Sequence, residues 1–492
     1  MKKQFKKLGL CITIVLLFNV QGLAQLVSFS DAEKFDKTFN SYLLIGKLNK
    51  QTYTVTCYNK EFTLHIYNDK LELQKNILLD FLPSKCDLVE AFIYNNISIV
   101  FLYKYLDKGN GYAEFASLNA DGLLQRQSVV FEKKTSLFKG DVDEFNWAIS
   151  EDKKHFVVYN ARQRQASLQL QYCYNVADSL SAIHSVSAPT NEISLLSKLV
   201  INKEGVLAAL IQDVSASIEK PFSHALFALN IKDESIGFSS ISIPTNNYIT
   251  EHLITPQAVN NQFILSLIVK AKSRQTQKSL VLYQITEKGA KAKLLATYAM
   301  NSAELFANSS MAMHNDLQQF HLSKAISKTD GSLFLALENY FETSRVVNMG
   351  GFSVMAFGTA PMSNTKTVRE FHYGSLLILN FNDEGTIKWR SVIDKEQFSQ
   401  DDEGYFSSYA TVLSGGNLLY FYSTLGAEKI RGQFVSVDAL NGKLDLEPLR
   451  SYKNETSEWV PRNALQISAN ELLIPCIKKK QLYLTKLIFN FL

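Results

Sequence analysis

Short apolar runs separated by polar turns recur along the whole chain. Residues 54–68 show the pattern, reading TVTCYN, then KE, then FTLHIYN. Alternation of apolar and polar positions over runs of this length, interrupted by Asn, Asp and Gly, is typical of antiparallel hairpins. No segment has the periodicity of a long amphipathic helix. The pattern therefore predicts an all-β chain.

The predicted turns contain the residue types that tight turns require. Gly and Asn adopt a positive φ at low cost, which other side chains resist. We expect turns at Asn119–Gly122, Glu151–Lys153, Lys203–Gly205, Thr329–Gly331, Asn382–Gly385, Ser414–Asn417 and Leu440–Gly442.

The strands group into a unit of four that repeats about every fifty residues, as in the blades of a β-propeller. The predicted units cover residues 41–80, 87–132, 146–187, 199–243, 248–300, 320–392 and 405–452. The tail, residues 463–491, supplies three strands, and we expect Leu26–Phe29 to provide the fourth. The sequence thus predicts a single propeller of seven or eight four-stranded blades. Two tandem β-sandwiches are the alternative.

The first residues have the order of a secretory signal. Four lysines within the first seven residues precede an apolar run from Leu8 to Val20, and Gly22 and Ala24 are small residues before a cleavage site. As a helix this run rises only about 20 Å, whereas a hydrocarbon core is about 30 Å thick. We therefore expect a signal peptide at residues 1–24 and a propeller domain at residues 25–492. The expected location is periplasmic, outer-surface or secreted.

Signal removal leaves an electrically neutral chain. The full sequence has 51 Lys+Arg and 47 Asp+Glu, and its first 24 residues contain four lysines and no acidic residue. A neutral protein has no long-range attraction to nucleic acid or to an anionic membrane, so we expect neither as a partner. No transmembrane run is expected after the signal. The sequence leaves the oligomeric state open.

Cysteine usage does not indicate a disulfide-built scaffold. Cys57, Cys86, Cys173 and Cys476 remain after signal removal, without any CxxC pair. Their strand-like surroundings favour buried free thiols. A Cys57–Cys476 bridge is the alternative if the two ends of the chain meet.

Two segments resemble the turn-and-strand pieces of quinoprotein-type propellers. They are Asn382–Trp389, which reads NDEGTIKW, and Val437–Leu444, which reads VDALNGKL. The resemblance covers two or three blades. It implies an eight-bladed fold that serves either quinone-dependent dehydrogenases or non-enzymatic scaffolds of outer-membrane assembly. The signal followed by Gln25 and the run from Trp389 to Tyr409 also resemble uncharacterised secreted proteins of Bacteroidetes-type bacteria.

Patterns that would indicate catalysis are missing from the sequence. The eight histidines show no metal-ligand spacing, and neither a Gly-x-Ser-x-Gly elbow nor a phosphate-binding glycine loop occurs. A quinone dehydrogenase would usually need adjacent cysteines, which the chain does not have. We therefore expect no cofactor and a non-enzymatic interaction scaffold of the cell envelope or secreted fraction. A glycan-active or quinone-dependent propeller enzyme is the alternative.

One stretch, Glu338–Gly374, interrupts a predicted blade with an insertion at about residues 341–372. Long loops within compact domains are uncommon and often functional, and Met, Phe and Arg suit contact with a protein. The candidate binding residues here are Glu338, Tyr340, Arg345, Arg369, His372 and Tyr373. A plain surface loop with satisfied polar groups explains the same residues.

A second stretch, Lys395–Tyr409, joins two predicted blades and is rich in Gln, Asp, Ser and Tyr. Its candidate binding residues are Gln397, Asp401 and Tyr405. A solvated loop is the expectation for this stretch, and a sugar- or peptide-binding surface on a propeller face is the alternative. Residues 401–404 form an acidic turn, for which a solvated turn is the expectation and a Ca²⁺ site the alternative.

The signal makes a direct prediction about the mature protein. Mass spectrometry of the exported chain should find Gln25 as the first residue, because cleavage after Ala24 follows the small-residue rule. A cytoplasmic chain that retains Met1 would contradict it.

Overall fold

A computed structural model gives the structure of the chain. It describes all residues except 1–23, 35–39, 135–144, 165–166, 177–178, 190–193, 214–223, 244–246, 259–261, 272–276, 286–290, 307–318, 349–364, 426–429, 449–457 and 491–492. The predicted signal peptide, apart from Ala24, therefore lies outside the described residues.

The chain divides into two compact units, and the larger comprises residues 38–68 and 74–404. It contains six antiparallel sheets, each built on a path of four neighbouring strands. The first three sheets are β3 (Asn40–Leu48), β4 (Gln51–Tyr58), β5 (Glu61–Tyr67), β6 (Leu73–Leu78); β7 (Asp87–Tyr94), β8 (Ser98–Asp107), β9 (Asn110–Leu118), β10 (Leu124–Lys134); and β11 (Phe145–Ile149), β12 (Phe156–Arg164), β13 (Ser167–Val176), β14 (Ser179–Leu180), β15 (His184–Pro189).

The other three sheets of this unit follow in chain order. They are β16 (Ser194–Leu196), β17 (Val200–Ile201), β18 (Val206–Asp213), β19 (His224–Asn230), β20 (Ile236–Ile241); β21 (Asn247–Pro256), β22 (Phe263–Ala271), β23 (Lys278–Ile285), β24 (Ala292–Ala299); and β25 (Phe320–Ser327), β26 (Leu333–Asn348), β27 (Thr365–Phe381), β28 (Ile387–Ile393), β29 (Gln397–Gln400). A short helix, α1 (Ala303–Phe306), follows β24.

The smaller unit comprises residues 1–37, 69–73 and 405–492. One of its sheets consists of β30 (Tyr409–Ser414), β31 (Asn417–Leu425), β32 (Ile430–Asp438) and β33 (Leu444–Pro448). The other contains β34 (Glu458–Trp459), β35 (Leu465–Ser468), β36 (Glu471–Lys478), β37 (Gln481–Asn490) and, from the start of the chain, β1 (Ala24–Phe29) and β2 (Glu33–Lys34).

The described residues thus form eight antiparallel sheets with a four-strand path in each, which is the blade architecture of a β-propeller. The predicted fold class is confirmed, and tandem β-sandwiches are not what the structure contains. The predicted repeat units coincide with the sheets, because each unit's turns separate strands that pair with their immediate neighbours.

The predicted turns connect paired strands as expected. At Asn382–Gly385 the Asn382 side-chain oxygen accepts the amides of Glu384 at 3.1 Å and Thr386 at 2.7 Å. Gly385 has φ +87°, and a Cβ there would lie 2.7 Å from the Leu295 side chain, so glycine is required on both counts. Asn119 caps its own turn in the same way.

Both ends of the chain contribute to one sheet. β1 pairs antiparallel with β37 from Ala24 opposite Asn490 to Phe29 opposite Thr485. This confirms that residues 26–29 complete the unit begun by the tail. The pairing gives the outer edge of β37 a partner that the tail alone does not provide.

Aromatic side chains fill the space between sheets. In the larger unit Phe156 packs against Phe92 and Phe115, each with ring centroids 5.7 Å apart. In the smaller unit the buried Trp459 contacts Phe421 at 5.2 Å and Phe29 of β1 at 6.3 Å. The N-terminal strand therefore contributes packing as well as backbone pairing.

The cysteines of the described residues are all free. Cys173 and Cys476 are buried, whereas Cys57 and Cys86 are half-buried. The prediction of free thiols is confirmed, whereas the predicted burial holds only for Cys173 and Cys476, and the Cys57–Cys476 bridge is absent. Among the described residues no helix is long and apolar enough to cross a membrane.

The packing of β1 gives a paired test. Val27 packs against the Trp459 cluster, whereas its neighbour Leu26 is 61% exposed. Val27→Asp should lower the free energy of unfolding by about 2 kcal/mol, because it places a charge against the core. Leu26→Asp should change it by less than about 0.5 kcal/mol. Urea unfolding followed by tryptophan fluorescence measures both, and equal effects would mean that β1 does not pack as described.

Candidate functional site

Two strands of one sheet extend beyond the rest of their blade. β25 pairs with β26 only as far as Asn339, and β28 pairs with β27 only from Leu376. Beyond these points β26 and β27 pair with each other, from Tyr340 opposite Tyr373 to Asn348 opposite Thr365. We call residues 340–348 and 365–373 the arm.

The arm contains the first eight and the last eight residues of the segment predicted as an insertion at residues 341–372. Its described parts, residues 341–348 and 365–372, are strand rather than loop, and the predicted pairing of the flanking strands is confirmed. Val and Thr at positions such as Val346, Val347 and Thr367 favour extended backbone. Residues 349–364, which include the methionines and phenylalanines of the predicted insertion other than Phe341 and Phe371, lie outside the described residues.

A short third strand joins the base of the arm. Residues Gln397–Gln400 of β29 pair with β27 over Glu370–Tyr373. These residues come from the second candidate stretch, Lys395–Tyr409. The pairing brings part of both predicted stretches into one sheet, although they are separate in the sequence.

A buried ion pair lies at the base of the arm. Lys395 Nζ is 2.7 Å from Glu338 Oε1, and their side chains are 0% and 7% exposed. The same ammonium group donates to Gln397 Oε1 at 2.8 Å and lies 5.8 Å from the centre of the Tyr373 ring. Because isolated buried charges are costly, these contacts fix Glu338 and Lys395 relative to each other.

Tyrosine rings pack beside this pair. Tyr340 and Tyr373, opposite each other on the two strands, have ring centroids 4.6 Å apart. Gly404 lies against Tyr373, and a Cβ at Gly404 would come within 2.6 Å of the tyrosine ring. Its φ of +69° also favours glycine. Gly404 therefore leaves the space that Tyr373 occupies.

Ion pairs link the exposed parts of the arm. Arg345 Nε donates to Glu370 Oε1 at 2.5 Å, Arg369 donates to Glu342 at 2.8 Å, and Lys366 donates to Asp401 at 2.6 Å. Each cation of the arm thus has a carboxylate partner. Exposed pairs contribute little stability, so their main effect is to fix side-chain positions and balance charge.

The carboxylates of the arm are held in their charged forms. The hydrogen bond from Arg345 lowers the pKa of Glu370, and the bond from Lys366 lowers the pKa of Asp401. A hydrogen bond from Tyr340, and then one from Arg369, lower the pKa of Glu342. Because folding depresses these pKa values, the stability from the pairs is present above the unfolded-state pKa and is lost as the pH falls through the folded-state pKa.

One face of the arm has a row of rings, which we call the ring row. It consists of Phe341 on β26, His372 on β27 and Phe398 on β29. Phe341 and His372 are stacked with centroids 4.4 Å apart and an interplanar angle of 7°, and His372 lies 5.0 Å from Phe398. Phe398 is 39% exposed. The row therefore crosses all three strands at a partly solvent-accessible surface.

Polar groups border the ring row. Glu370 accepts hydrogen bonds from Thr343 at 3.1 Å and from Gln400 at 3.1 Å, in addition to Arg345. The arrangement offers rings, hydroxyl and amide groups at one surface. Such a surface suits binding, since it combines apolar contact with fixed hydrogen-bonding groups.

Eight of the nine predicted site residues lie on the sheet that contains the arm or directly after its strand β29. They are Glu338, Tyr340, Arg345, Arg369, His372, Tyr373, Gln397 and Asp401. Tyr405 belongs to the smaller unit, where its ring contacts Phe406 at 5.0 Å. Whether any of them binds a partner stays a prediction.

Other residues of this surface did not emerge from the sequence. Phe341, Glu342, Glu370 and Phe398 form its ring and ion-pair contacts, and Lys395 neutralises Glu338. The available signal was the β-branched content around Arg345, at Thr343, Val346 and Val347, because such residues favour extended backbone. It would have indicated a strand, had the segment not been interpreted as a loop.

The acidic turn at residues 401–404 uses two of its carboxylates within the protein. Asp401 bonds Lys366 and also accepts the Arg369 amide at 3.0 Å, and Asp402 accepts the Gly404 amide at 3.0 Å. Within the described ranges, no group of three or more His, Cys, Asp or Glu side chains is arranged to hold a metal ion.

Comparison with known proteins assigns no family. No protein-family model matches the chain, and no curated protein matches it. The WD40 domain of SCAP from fission yeast is similar with a TM-score of 0.43 and 11% identity, covering 95% of this chain and 98% of that one. A prolyl endopeptidase gives 0.41 and 9%, covering 90% of this chain and 55% of its own.

The polysaccharide lyase Uly1 is similar with a TM-score of 0.38 and 10% identity, covering 86% of this chain and 92% of that one. Likenesses this distant carry no argument about function. The fold assignment rests on the strand pairing itself.

The buried ion pair makes a stability prediction. Lys395→Met should lower the free energy of unfolding by about 3 kcal/mol, because it leaves the Glu338 charge buried without its partner. Adding Glu338→Leu should recover much of the loss, since both charges are then gone. Lys388→Met is the matched control, because that lysine is 47% exposed and lies 3.9 Å from Asp330; it should cost less than about 1 kcal/mol. Urea unfolding measures all three, and equal losses for the two lysine variants would contradict the buried pairing.

Proposed function

We propose that this protein is a non-enzymatic binding scaffold and that the arm is the element that contacts its partner. The observation that carries the proposal is the continuation of β26 and β27 beyond the ends of β25 and β28. A propeller blade is a four-stranded sheet, and this blade has its four strands without the arm. The arm exceeds that requirement and exposes side chains that are already positioned by one another.

The exposed side chains of the arm and of the neighbouring β29 suit recognition. Val346 is 68% exposed and Phe398 39% exposed, although both are large apolar residues. The ion pairs and the ring row hold their surroundings in place before any partner binds. Such preorganisation reduces the entropy that binding costs. A protein or glycan partner is consistent with these groups.

The location of the protein is part of the same proposal. We propose that the chain is exported, on the strength of the basic, apolar and small-residue order of its first 24 residues. Cleavage before Gln25 would leave most of β1 available to pair with β37. Export would place the arm where envelope or extracellular partners occur.

Site-directed photo-cross-linking tests the proposal. A photoreactive phenylalanine analogue at position 346 should form an adduct in the producing cells, because a bound partner would cover this exposed residue. Leu440, which is 86% exposed on a turn of the smaller unit, is the matched control position and should give none. Mass spectrometry of the adducts identifies their chemical class.

A shortened variant provides the second measurement. Replacing residues 345–368 by a Gly-containing turn should leave the melting temperature nearly unchanged, because shortening a surface connection alters closure entropy only slightly. A photoreactive phenylalanine analogue at position 398 should form an adduct when the arm is intact, and the shortened variant should lose this adduct. Adducts that are equally strong at positions 346 and 440, or that persist at 398 after shortening, would contradict the proposal.

A further inference from the structure

We propose that the partner supplies an extended polypeptide segment that adds as a β-strand to the free edge of β26 between Phe341 and Val347. This rests on the proposed function and specifies its partner. β25 covers that edge of β26 only as far as Asn339. Across the described ranges, no strand pairs with the same edge from Tyr340 onward.

An uncovered edge presents backbone groups that require hydrogen-bond partners. In an antiparallel pair, successive residues direct their N–H and C=O groups alternately toward one neighbour and the other. Along residues 341–347 half of these groups bond β27, and the other half point away from it. A row of this kind is a template for an additional strand.

The usual protection of such an edge is weak here. Natural edge strands are often guarded by charged side chains that repel an incoming strand. On this strand, Arg345 donates a hydrogen bond to Glu370, and Glu342 accepts one from Arg369. Both partner residues, Glu370 and Arg369, lie on β27. The ion pairs therefore draw the charges away from the edge, while Val346 stays 68% exposed.

The ring row indicates which type of side chain the added segment would place opposite Phe341. The row runs from Phe398 on β29 through His372 on β27 to Phe341 on β26. Residues directly opposite each other on paired strands lie on the same face and contact each other. The next position in the row belongs to the added strand, so an aromatic or other apolar residue opposite Phe341 would continue it.

Charge balance restricts the partner further. Arg345, Lys366 and Arg369 are each paired with a carboxylate of the protein itself. A strongly charged segment would find no uncompensated opposite charge along these contacts. The geometry therefore fits an uncharged extended peptide with a ring or branched apolar residue at the position facing Phe341.

Peptide display supplies the probe for this inference. A phage library of random twelve-residue peptides is panned against the full mature chain, and selected peptides are then synthesised and titrated by calorimetry. We expect selected sequences to be low in charge and rich in β-branched and aromatic residues. Phe341→Ala should weaken their binding about tenfold, whereas Phe238→Ala, at a phenylalanine of β20 that is 36% exposed, should change it by less than about threefold.

Proline substitution tests the strand geometry itself. Successive amides alternate in direction, so one of Thr343→Pro and Ser344→Pro removes an N–H from the free edge and the other removes one that faces β27. The variant that keeps the wild-type melting temperature should be the one that lost the free-edge N–H, and it should abolish peptide binding. Thr343→Ala and Ser344→Ala remove the side-chain hydroxyls but keep the backbone N–H groups, so neither should abolish peptide binding.

Hydrogen exchange locates the bound peptide. Binding should slow exchange of alternate amides within residues 341–347 and leave residues 24–29 of β1 unaffected. Failure to select any peptide that depends on Phe341, normal binding by both proline variants, or self-association of the chain through this edge in ultracentrifugation would each overturn the inference. An adduct at position 346 that contains a glycan would also overturn it while leaving the scaffold function in place.

Discussion

The need of strand edges for hydrogen-bond partners is the constraint on which the rest of this structure depends. Each four-strand path gives its inner strands a partner on both sides, whereas its two end strands pair on one side only. At the last sheet the tail provides too few strands, and β1 from the start of the chain supplies the missing pairing. The same requirement applies at the arm, because β26 continues there after its partner β25 has ended.

Packing and polar contacts determine where the arm projects. At its base, Lys395 and Glu338 are buried together, and Gln397 accepts a further hydrogen bond from the same ammonium group. Breaking one partner of such a pair is more costly than removing both, so the pair specifies the local arrangement more than it adds net stability. Gly404 completes the base by leaving room for the Tyr373 ring.

Beyond the base, the arm is built from cross-strand contacts with little core of its own. The ring row and two of the ion pairs connect neighbouring strands, and the third joins Lys366 of β27 to Asp401, directly after β29. Most of these side chains remain partly accessible. A surface of this kind is fixed before a partner arrives and still offers apolar contact and backbone hydrogen bonding. These are the properties that the proposed scaffold function requires.

The sequence alone determined the strands, the turns and the repeat. Turns such as Asn382–Gly385 depend on the φ of one glycine and the side chain of one asparagine, which are local properties. Alternation of apolar residues is equally local, and the need for a fourth strand identified residues 26–29. Only the tertiary structure showed that residues 341–348 continue a strand and that Lys395 neutralises Glu338. Pairing between distant segments decides such contacts, because the hydrogen-bond partner of a strand and the counter-ion of a buried charge are chosen by the folded arrangement and leave no mark in local sequence.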